Sequence, residues 1–277
     1  MQTVPAPEAL KKRVDEIRTL DTREHEITFL TESWKAKVPW PEVRDLVDAF
    51  PEGRMTRQNL FALGRRAVAG NADDRRRLLV ATLMWGYGER GGRSYTNAKR
   101  VLAVTSLDRK LEECAAAIGD ADVRAAFSAI AGLSGYGIGY FTKYLYFLAR
   151  EIDWRSQAAK PLIFDSRVED KLNFIKKALE VRWDAPLTGR RSAVARYLHY
   201  CETAQSWATE LGLAPGVGGA EKIEQYLFEP DALWFDVYGE MRKLALAVLR
   251  DCADGSAGPH THVAMAAMNI DLAHSLG

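Results

Sequence analysis

Helical periodicity extends along nearly the whole sequence, and it restricts the fold class more than any other feature. Apolar residues recur every three or four positions, as in Leu10, Val14, Ile17 and Leu20, which is typical of helices that bury one face. No segment alternates strictly between apolar and polar residues, and no Asn-Gly or Asp-Gly turn lies between β-branched runs, as a strand hairpin would require. The pattern predicts an all-α fold built from two packed helical subdomains.

The length and composition are those of a globular protein. The chain has 277 residues, of which 47% are hydrophobic and 27% charged, so it can form one large domain or two closely packed subdomains. We predict a core over residues 1–251, followed by a linker and a helical tail over residues 252–277. The net charge of +1 argues against a histone-like binder of nucleic acid, but it allows basic groups to be concentrated on one face.

The cysteines exclude two classes of metal site. Cys114, Cys201 and Cys252 lie far apart without a CxxC pair, so they form neither a zinc ribbon nor a four-cysteine iron–sulfur cluster. Their spacing suits a reducing cytoplasm. The N-terminus lacks an apolar signal core, and no run of 18 apolar residues occurs. We therefore predict a cytoplasmic monomer without a membrane segment or a cofactor.

The most informative segment is the glycine-containing turn LSGYG at residues 133–137. One helix ends there and another begins at about Gly139, and the two glycines allow the backbone to turn sharply. The free N–H groups at the start of the second helix can bind a phosphate, so the turn can hold one strand of a nucleic acid without reading its sequence. The alternative is that Gly135 and Gly137 serve only to end one helix and start the next.

Asp165 follows this turn at the expected start of another helix. The apolar run PLIF at residues 161–164 leads into Asp165, and Ser166 with Glu169 fits a capping box at the start of a further helix. A carboxylate held at a helix N-terminus is favoured in its ionised form by the helix dipole. Asp165 is therefore the candidate catalytic residue, with a simple N-cap aspartate as the alternative.

The turn LSGYG followed by IFDSRV resembles the LPGVG…VDxHV signature of the helix-hairpin-helix DNA glycosylases, which include endonuclease III and the adenine and 8-oxoguanine glycosylases. The resemblance covers about Leu78 to Leu172. In overall character the chain is similar to bacterial proteins with an 8-oxoguanine-glycosylase fold, some of which resemble an anti-phage glycosylase acting on glucosylated hydroxymethylcytosine. The resemblance implies a hairpin over about 124–150, a helix that carries the catalytic aspartate and starts within about 161–172, and a DNA cleft between the two subdomains.

The resemblance also implies a mechanism. The family aspartate corresponds to Asp165, which would stabilise an oxocarbenium-like sugar and position the attacking water. Bifunctional members carry a nucleophilic lysine where this sequence has Gly139, so the chain is expected to lack lyase activity and to leave an abasic site. Lys143 lies one helical turn later and is expected to contact phosphate or solvent, with a relocated nucleophile as the alternative. Arg167 replaces the usual histidine and is either a phosphate contact or a surface residue.

The loop WGYGERGGRSY at residues 85–95 corresponds to the family's wedge into the duplex. Tyr87 is the candidate wedge, Trp85 a candidate pocket wall, and Asn97 a candidate contact to the orphan base. Trp234 is a second candidate for the pocket, and simple core packing is the alternative for both tryptophans. The predicted DNA-binding residues are Ser134, Gly135, Tyr136, Gly137, Gly139, Lys143, Ser166, Arg167, Arg90, Arg93 and Asn97.

No metal site is predicted from the residues themselves, although the resemblance implies a monovalent cation at the carbonyls of Leu133, Gly135 and Gly137. The predicted partner is double-stranded DNA that contains a modified base. The predicted function is a monofunctional glycosylase in anti-phage defence, acting on glucosylated hydroxymethylcytosine. One alternative is a repair glycosylase for 8-oxoguanine or an alkylated base. A second is a non-catalytic DNA-binding module in which Asp165 only caps its helix.

Overall fold

A computed structural model describes residues 5–89, 93–150, 152, 154, 159–178, 190–213 and 218–229, apart from the side chains of 173–178 and 190–192. The first compact unit of the chain is Met1–Phe228. Two predicted site residues, Arg90 and Trp234, lie outside the described residues, as does the tail predicted at 252–277. The predicted domain boundary at residue 251 therefore stays a prediction.

The described residues form thirteen helices and one two-stranded antiparallel sheet, which confirms the all-α fold class. The helices are α1 (Glu8–Lys11), α2 (Val14–Thr19), α3 (Thr31–Lys37), α4 (Pro41–Ala49), α5 (Arg57–Ala69), α6 (Ala72–Tyr87), α7 (Arg93–Leu102), α8 (Leu107–Gly119), α9 (Val123–Ile130), α10 (Ile138–Ala149), α11 (Ser166–Ala178), α12 (Arg190–Glu210) and α13 (Gly219–Phe228). Within the described ranges, no helix is long and apolar enough to span a membrane.

The small sheet was not predicted. Strands β1 (Glu26–Thr28) and β2 (Arg54–Thr56) pair with Ile27 opposite Met55. Each strand has three residues, which is too short for an alternating pattern to be recognised. The helical segment before β1 is also less regular than its apolar stripe suggests, because α1 ends at Lys11 and α2 begins at Val14.

Helices α6 and α10 form the centre of the fold. Every residue of α6 from Leu78 to Trp85 is buried, and so is every residue of α10 from Phe141 to Ala149. A helix that is buried on all sides belongs to the interior of a protein. Gly64 lets the backbone of α5 lie close to that of α10, because a Cβ at this position would be 2.0 Å from the carbonyl oxygen of Phe147. Helices α5 and α10 are therefore in close backbone contact near the end of α10.

The predicted hairpin consists of α9, a glycine-containing turn and α10. Gly132 and Gly135 adopt φ values of +86° and +81°, in the left-handed region that favours glycine. A Cβ at Gly135 would lie 2.5 Å from the carbonyl oxygen of Asn97, so the turn packs directly on α7. Helix α10 begins at Ile138, with Gly137 as its N-cap, one residue earlier than the sequence indicates.

A buried ion pair joins α13 to α5. Arg57 donates to both carboxylate oxygens of Glu224, at 2.9 and 3.2 Å, and both side chains are 0% exposed. A second pair joins Arg150, which follows α10, to Glu221 at 2.7 Å. Helix α13 also packs on α2, α11 and α12. The two ion pairs therefore connect the helices around α13 to the central helices.

Removing one partner of the Arg57–Glu224 pair leaves a buried, uncompensated charge. We expect Arg57→Met to lower the free energy of unfolding by about 3–5 kcal/mol, and the double variant Arg57→Met/Glu224→Leu to recover most of this loss. Urea denaturation followed by circular dichroism measures both. The control is Arg54→Met, which breaks an exposed pair with Glu26 and should cost less than about 1 kcal/mol. Equal losses in the single and double variants would contradict this account.

Candidate active site

The segment before α11 is anchored to α10 and α12 by hydrogen bonds. The backbone N–H of Phe164 donates to Oγ1 of Thr142 at 3.1 Å, which ties the segment to α10. The hydroxyls of Tyr197 and Tyr200 donate to the carbonyl oxygens of Leu162 and Ile163, at 2.9 and 3.1 Å. Residues 161–164 are all buried. These contacts determine where Asp165 lies.

Asp165 caps α11 with one carboxylate oxygen and leaves the other for a different contact. Its Oδ1 accepts hydrogen bonds from the backbone N–H groups of Arg167 and Val168, at 3.1 and 3.2 Å. The capping box predicted from Ser166 and Glu169 is wrong, because Asp165 is the capping residue and Glu169 instead pairs with Arg196 at 2.7 Å. The cap therefore fixes the orientation of the carboxylate with respect to the helix axis.

The second oxygen of Asp165 forms an ion pair with Lys143. Nζ of Lys143 lies 2.9 Å from Oδ2 of Asp165 and also donates to the carbonyl oxygen of Gly139 at 2.8 Å. The lysine side chain is 4% exposed and the aspartate side chain 14% exposed. The ammonium group of Lys143 is thus buried against the carboxylate and does not contact solvent, while its predicted contact with phosphate stays a prediction.

Gly139 lies beside the same aspartate. A Cβ at Gly139 would be 3.4 Å from Cβ of Asp165, which is an ordinary van der Waals distance. The position where the resemblance places a lysine therefore faces Asp165 in the structure. The amine that reaches Asp165 comes from Lys143, one turn further along α10.

The predicted wedge loop is shorter than the sequence indicates. Helix α6 continues through Tyr87 and α7 begins at Arg93, so residues 88–92 connect them. The ring of Tyr87 stacks on that of Tyr140, with centroids 4.5 Å apart, and Nδ2 of Asn97 donates to the Tyr87 hydroxyl at 2.6 Å. Tyr87, the predicted wedge, and Asn97, the predicted contact to the orphan base, are thus hydrogen-bonded to each other in the free protein.

Trp85 and Tyr140 lie near the ammonium group of Lys143. Nζ is 6.0 Å from the Trp85 ring and 5.9 Å from the Tyr140 ring, measured to the ring centroids. Trp85 is 3% exposed, and its Nε1 has no hydrogen-bond partner among the described residues. Trp85 is both a core residue and a neighbour of the ion pair, so the two alternatives for it are compatible.

Two further aromatic residues, His25 and Phe228, extend the row of rings that starts at Trp85. The sequence predicted a role for neither of them. The His25 ring lies 5.2 Å from that of Trp85 and 5.4 Å from that of Phe228. The guanidinium carbon of Arg167 lies 4.8 Å from the Phe228 ring centroid. We call Tyr140, Trp85, His25 and Phe228 the aromatic wall. It begins beside Lys143 and ends beside Arg167, which follows Asp165 by two residues.

His25 is uncharged at neutral pH. Burial, together with the smaller effect of the nearby cations Arg57, Arg167 and Lys143, lowers its pKa to about 4. A neutral imidazole has one hydrogen-bond donor and one acceptor. The wall therefore has neutral polar atoms at His25, although charged groups surround it.

The predicted hairpin contacts fall into two groups. Ser134 and Gly137 are exposed and remain available for a phosphate, whereas Tyr136 is 2% exposed with its hydroxyl 2.6 Å from Oγ1 of Thr82. The side chain of Tyr136 is therefore part of the core and not of the predicted DNA surface. Three further predicted DNA contacts, Arg93, Ser166 and Arg167, are exposed, whereas Gly135 and Asn97 are half-buried.

The carbonyl groups of the turn do not fit the implied cation well. The oxygen of Gly137 accepts hydrogen bonds from the N–H groups of Tyr140 and Phe141, and that of Leu133 accepts one from Tyr136. A carbonyl oxygen has two lone pairs, so Gly137 has no free acceptor site for a cation. Among the described residues, no group of three or more His, Cys, Asp or Glu side chains forms a metal site.

The comparison with protein families agrees with this geometry. A family model described as "Putative 8-oxoguanine DNA glycosylase OGG-like protein" matches residues 20–228, which include both partners of the ion pair and the whole aromatic wall. The chain belongs to this family. No curated protein and no solved structure matches the sequence. As a member of this glycosylase-like family, the chain has DNA as its implied partner.

The buried, neutral His25 makes stability depend on pH. Between pH 6.5 and 4 the unfolded chain binds a proton at this imidazole and the folded chain does not, so stability falls as the pH falls through this window. We expect His25→Gln to remove about 2–3 kcal/mol of the difference in unfolding free energy between pH 7 and pH 4.5. Urea denaturation at the two pH values measures it, with His199→Gln as the control. An unchanged difference in His25→Gln would contradict the assignment.

Proposed function

We propose that this protein is a DNA glycosylase that uses Asp165 to cleave the bond between a modified base and its deoxyribose. The observation that carries this proposal is the carboxylate of Asp165, which is fixed by the N-terminal cap of α11, paired with a buried ammonium group and placed next to an aromatic wall. Membership of the OGG-like family supports the same reaction class.

The role proposed for Asp165 is electrostatic. As the base leaves, positive charge develops on C1′ and on the ring oxygen of the sugar, and a fixed carboxylate stabilises it. The cap through Oδ1 allows the carboxylate to act without reorientation. Its low exposure of 14% strengthens the interaction, because less water screens the charge.

The aromatic wall is the proposed binding surface for the base after it leaves the helix stack. Flipped bases are held between aromatic or apolar side chains and by hydrogen bonds to their edges. The wall offers ring faces and the neutral imidazole of His25, and its member Trp85 has an N–H group without a hydrogen-bond partner among the described residues. The exposed turn at Ser134 and Gly137 supplies phosphate contacts that do not depend on sequence.

Three classes of substrate remain as proposals. The sequence resemblance supports glucosylated hydroxymethylcytosine and a role in anti-phage defence. The description of the matched family supports 8-oxoguanine, and an alkylated base would use the same reaction. The contacts to the base edge discriminate between these substrates.

The nucleophile that attacks C1′ of the sugar determines the product of the reaction. With water the enzyme is monofunctional and leaves an abasic site, as Gly139 in the lysine position predicts. With an amine it also cleaves the strand. Base release requires Asp165 in both cases, so a test of base release does not depend on the nucleophile.

Asp165→Asn tests the proposal directly. Asparagine is as good an N-cap as aspartate, so α11 should form, but the charge at C1′ is lost. We expect base release to slow by about 100-fold or more while DNA binding, measured by fluorescence anisotropy, is retained. Asp170→Asn is the control, because Asp170 lies on the exposed side of the same helix. Unchanged base release in Asp165→Asn would contradict the role proposed for Asp165, whereas DNA binding without base release in the wild type would favour the non-catalytic binding module.

Mass spectrometry of released bases identifies the substrate. The purified protein is incubated with separate DNAs that contain 8-oxoguanine, alkylated bases or glucosylated hydroxymethylcytosine, and Asp165→Asn is the blank for each. We expect one class of base to be released in a manner that depends on Asp165. Release of 8-oxoguanine alone would contradict the anti-phage proposal, and release of no base from any of these DNAs would count against the enzyme.

A further inference from the structure

We propose that Arg167 makes the site selective for an uncharged modified base, which leaves the sugar as an anion, and against bases that carry a positive charge in DNA. This inference rests on the proposed function, because it requires the flipped base to lie on the aromatic wall. It narrows the three classes of substrate, since alkylation at a ring nitrogen often gives a cationic base. The selectivity comes from a residue at which this chain departs from the resemblance, because Arg167 replaces the usual histidine.

Three rings of the aromatic wall already have a cation nearby. The guanidinium carbon of Arg167 lies 4.8 Å from the Phe228 ring centroid. Nζ of Lys143 lies 6.0 Å from the ring centroid of Trp85 and 5.9 Å from that of Tyr140. A cation within about 6 Å of a ring centroid is attracted to the electron-rich face of the ring. The faces that would attract a cationic base are thus partly occupied by cations of the protein itself.

Arg167 carries the charge that is not neutralised by a carboxylate. Lys143 pairs with Asp165 at 2.9 Å. Arg57, whose guanidinium also lies near the wall, pairs with Glu224 at 2.9 Å. In the part of the chain that the structure describes, Arg167 has no such carboxylate partner. A base that lies on the wall is therefore close to one net positive charge, which repels a cation and attracts an anion.

The charge of Arg167 is felt in the middle of the wall, at His25. The His25 ring lies 5.4 Å from that of Phe228, which is the ring next to the guanidinium. Burial lowers the pKa of this imidazole to about 4, together with the smaller effects of Arg57, Arg167 and Lys143. The repulsion that disfavours a proton on the imidazole also disfavours a positive charge on a base beside it.

The same charge assists the departure of an uncharged base. When the C1′–N bond breaks, its electron pair stays on the base, which leaves as an anion, and the sugar becomes an oxocarbenium ion. Asp165 stabilises the cationic sugar, and Arg167, two residues further along, stabilises the anionic base. Water then adds to C1′ and gives up a proton, and the base takes up one proton, so that the sum is hydrolysis. A cationic base leaves as a neutral molecule and gains nothing from Arg167.

Binding to two bases of equal shape and different charge tests the selectivity. Two duplexes of one sequence carry either 7-methylguanine, which is cationic, or 7-methyl-7-deazaguanine, which has the same shape without the charge. A 2′-fluoro group on this nucleotide prevents hydrolysis. We expect the full-length wild type to bind the uncharged duplex about 10-fold more tightly, because one exposed cation repels the charged base; fluorescence anisotropy measures both affinities. Equal affinities, or tighter binding of the cationic duplex, would overturn the inference.

Variants of Arg167 assign the selectivity to its charge. Arg167→Lys keeps the charge and should retain the difference in affinity, Arg167→Met should abolish most of it, and Arg167→Glu should reverse it. An unmodified duplex reports a phosphate contact, because the loss of such a contact weakens binding to every duplex equally. The control Arg109→Met removes an exposed arginine of α8 that pairs with Glu113, and it should behave as the wild type does. An equal loss for all three duplexes in Arg167→Met would overturn the inference.

Single-turnover base release separates this inference from the proposed function. In Arg167→Met, release of the uncharged base should slow by about 10-fold or more, whereas release of 7-methylguanine should not slow. If base release depends on Asp165 but Arg167→Met affects the two bases equally, the inference is overturned while the glycosylase proposal remains. If the wild type releases no base from any DNA, the proposed function itself fails, and the affinities for the 2′-fluoro duplexes still decide whether the wall selects by charge.

Discussion

The ion pair between Lys143 and Asp165 is the interaction on which the candidate site depends. It connects α10 to the start of α11 at 2.9 Å, and both helices are held independently of it. Helix α10 is buried in the core from Phe141 onwards, while the segment before Asp165 is anchored by Thr142, Tyr197 and Tyr200. The pair therefore does not have to hold the fold together. Its two charges are available for chemistry because other contacts determine their positions.

The sequence allowed the helical class, the hairpin and the place of Asp165 at a helix start to be predicted, because each depends on neighbouring residues. Helical periodicity, a glycine turn and a helix N-cap are all local patterns. The position of Lys143 could not be predicted with the same certainty. Its spacing from Gly139 places both on one face of α10, but whether the amine points to solvent or to a carboxylate depends on α11, which follows after a connection of irregular sequence.

The aromatic wall shows a second limit of prediction. His25 precedes a three-residue strand and Phe228 ends α13, so the two rings meet only after nearly the whole described chain has folded. Neither residue belongs to a motif. Arg57 and Glu224 are a similar case, since a charged residue on a helix is usually exposed. Tyr136 is the opposite case, because it lies within the recognisable turn and yet its side chain packs in the core.

The charges around the site explain how a nearly neutral chain can engage DNA. Arg57 is neutralised by Glu224, and Lys143 is paired with Asp165, so these buried cations contribute little net field. Arg167 is exposed beside Phe228, and the hairpin offers backbone N–H groups at the start of α10. In the proposed function, affinity for the phosphate backbone comes from a few contacts at these exposed groups. In the proposed function, the buried carboxylate of Asp165 acts on the sugar, where its low exposure to water strengthens the electrostatic interaction.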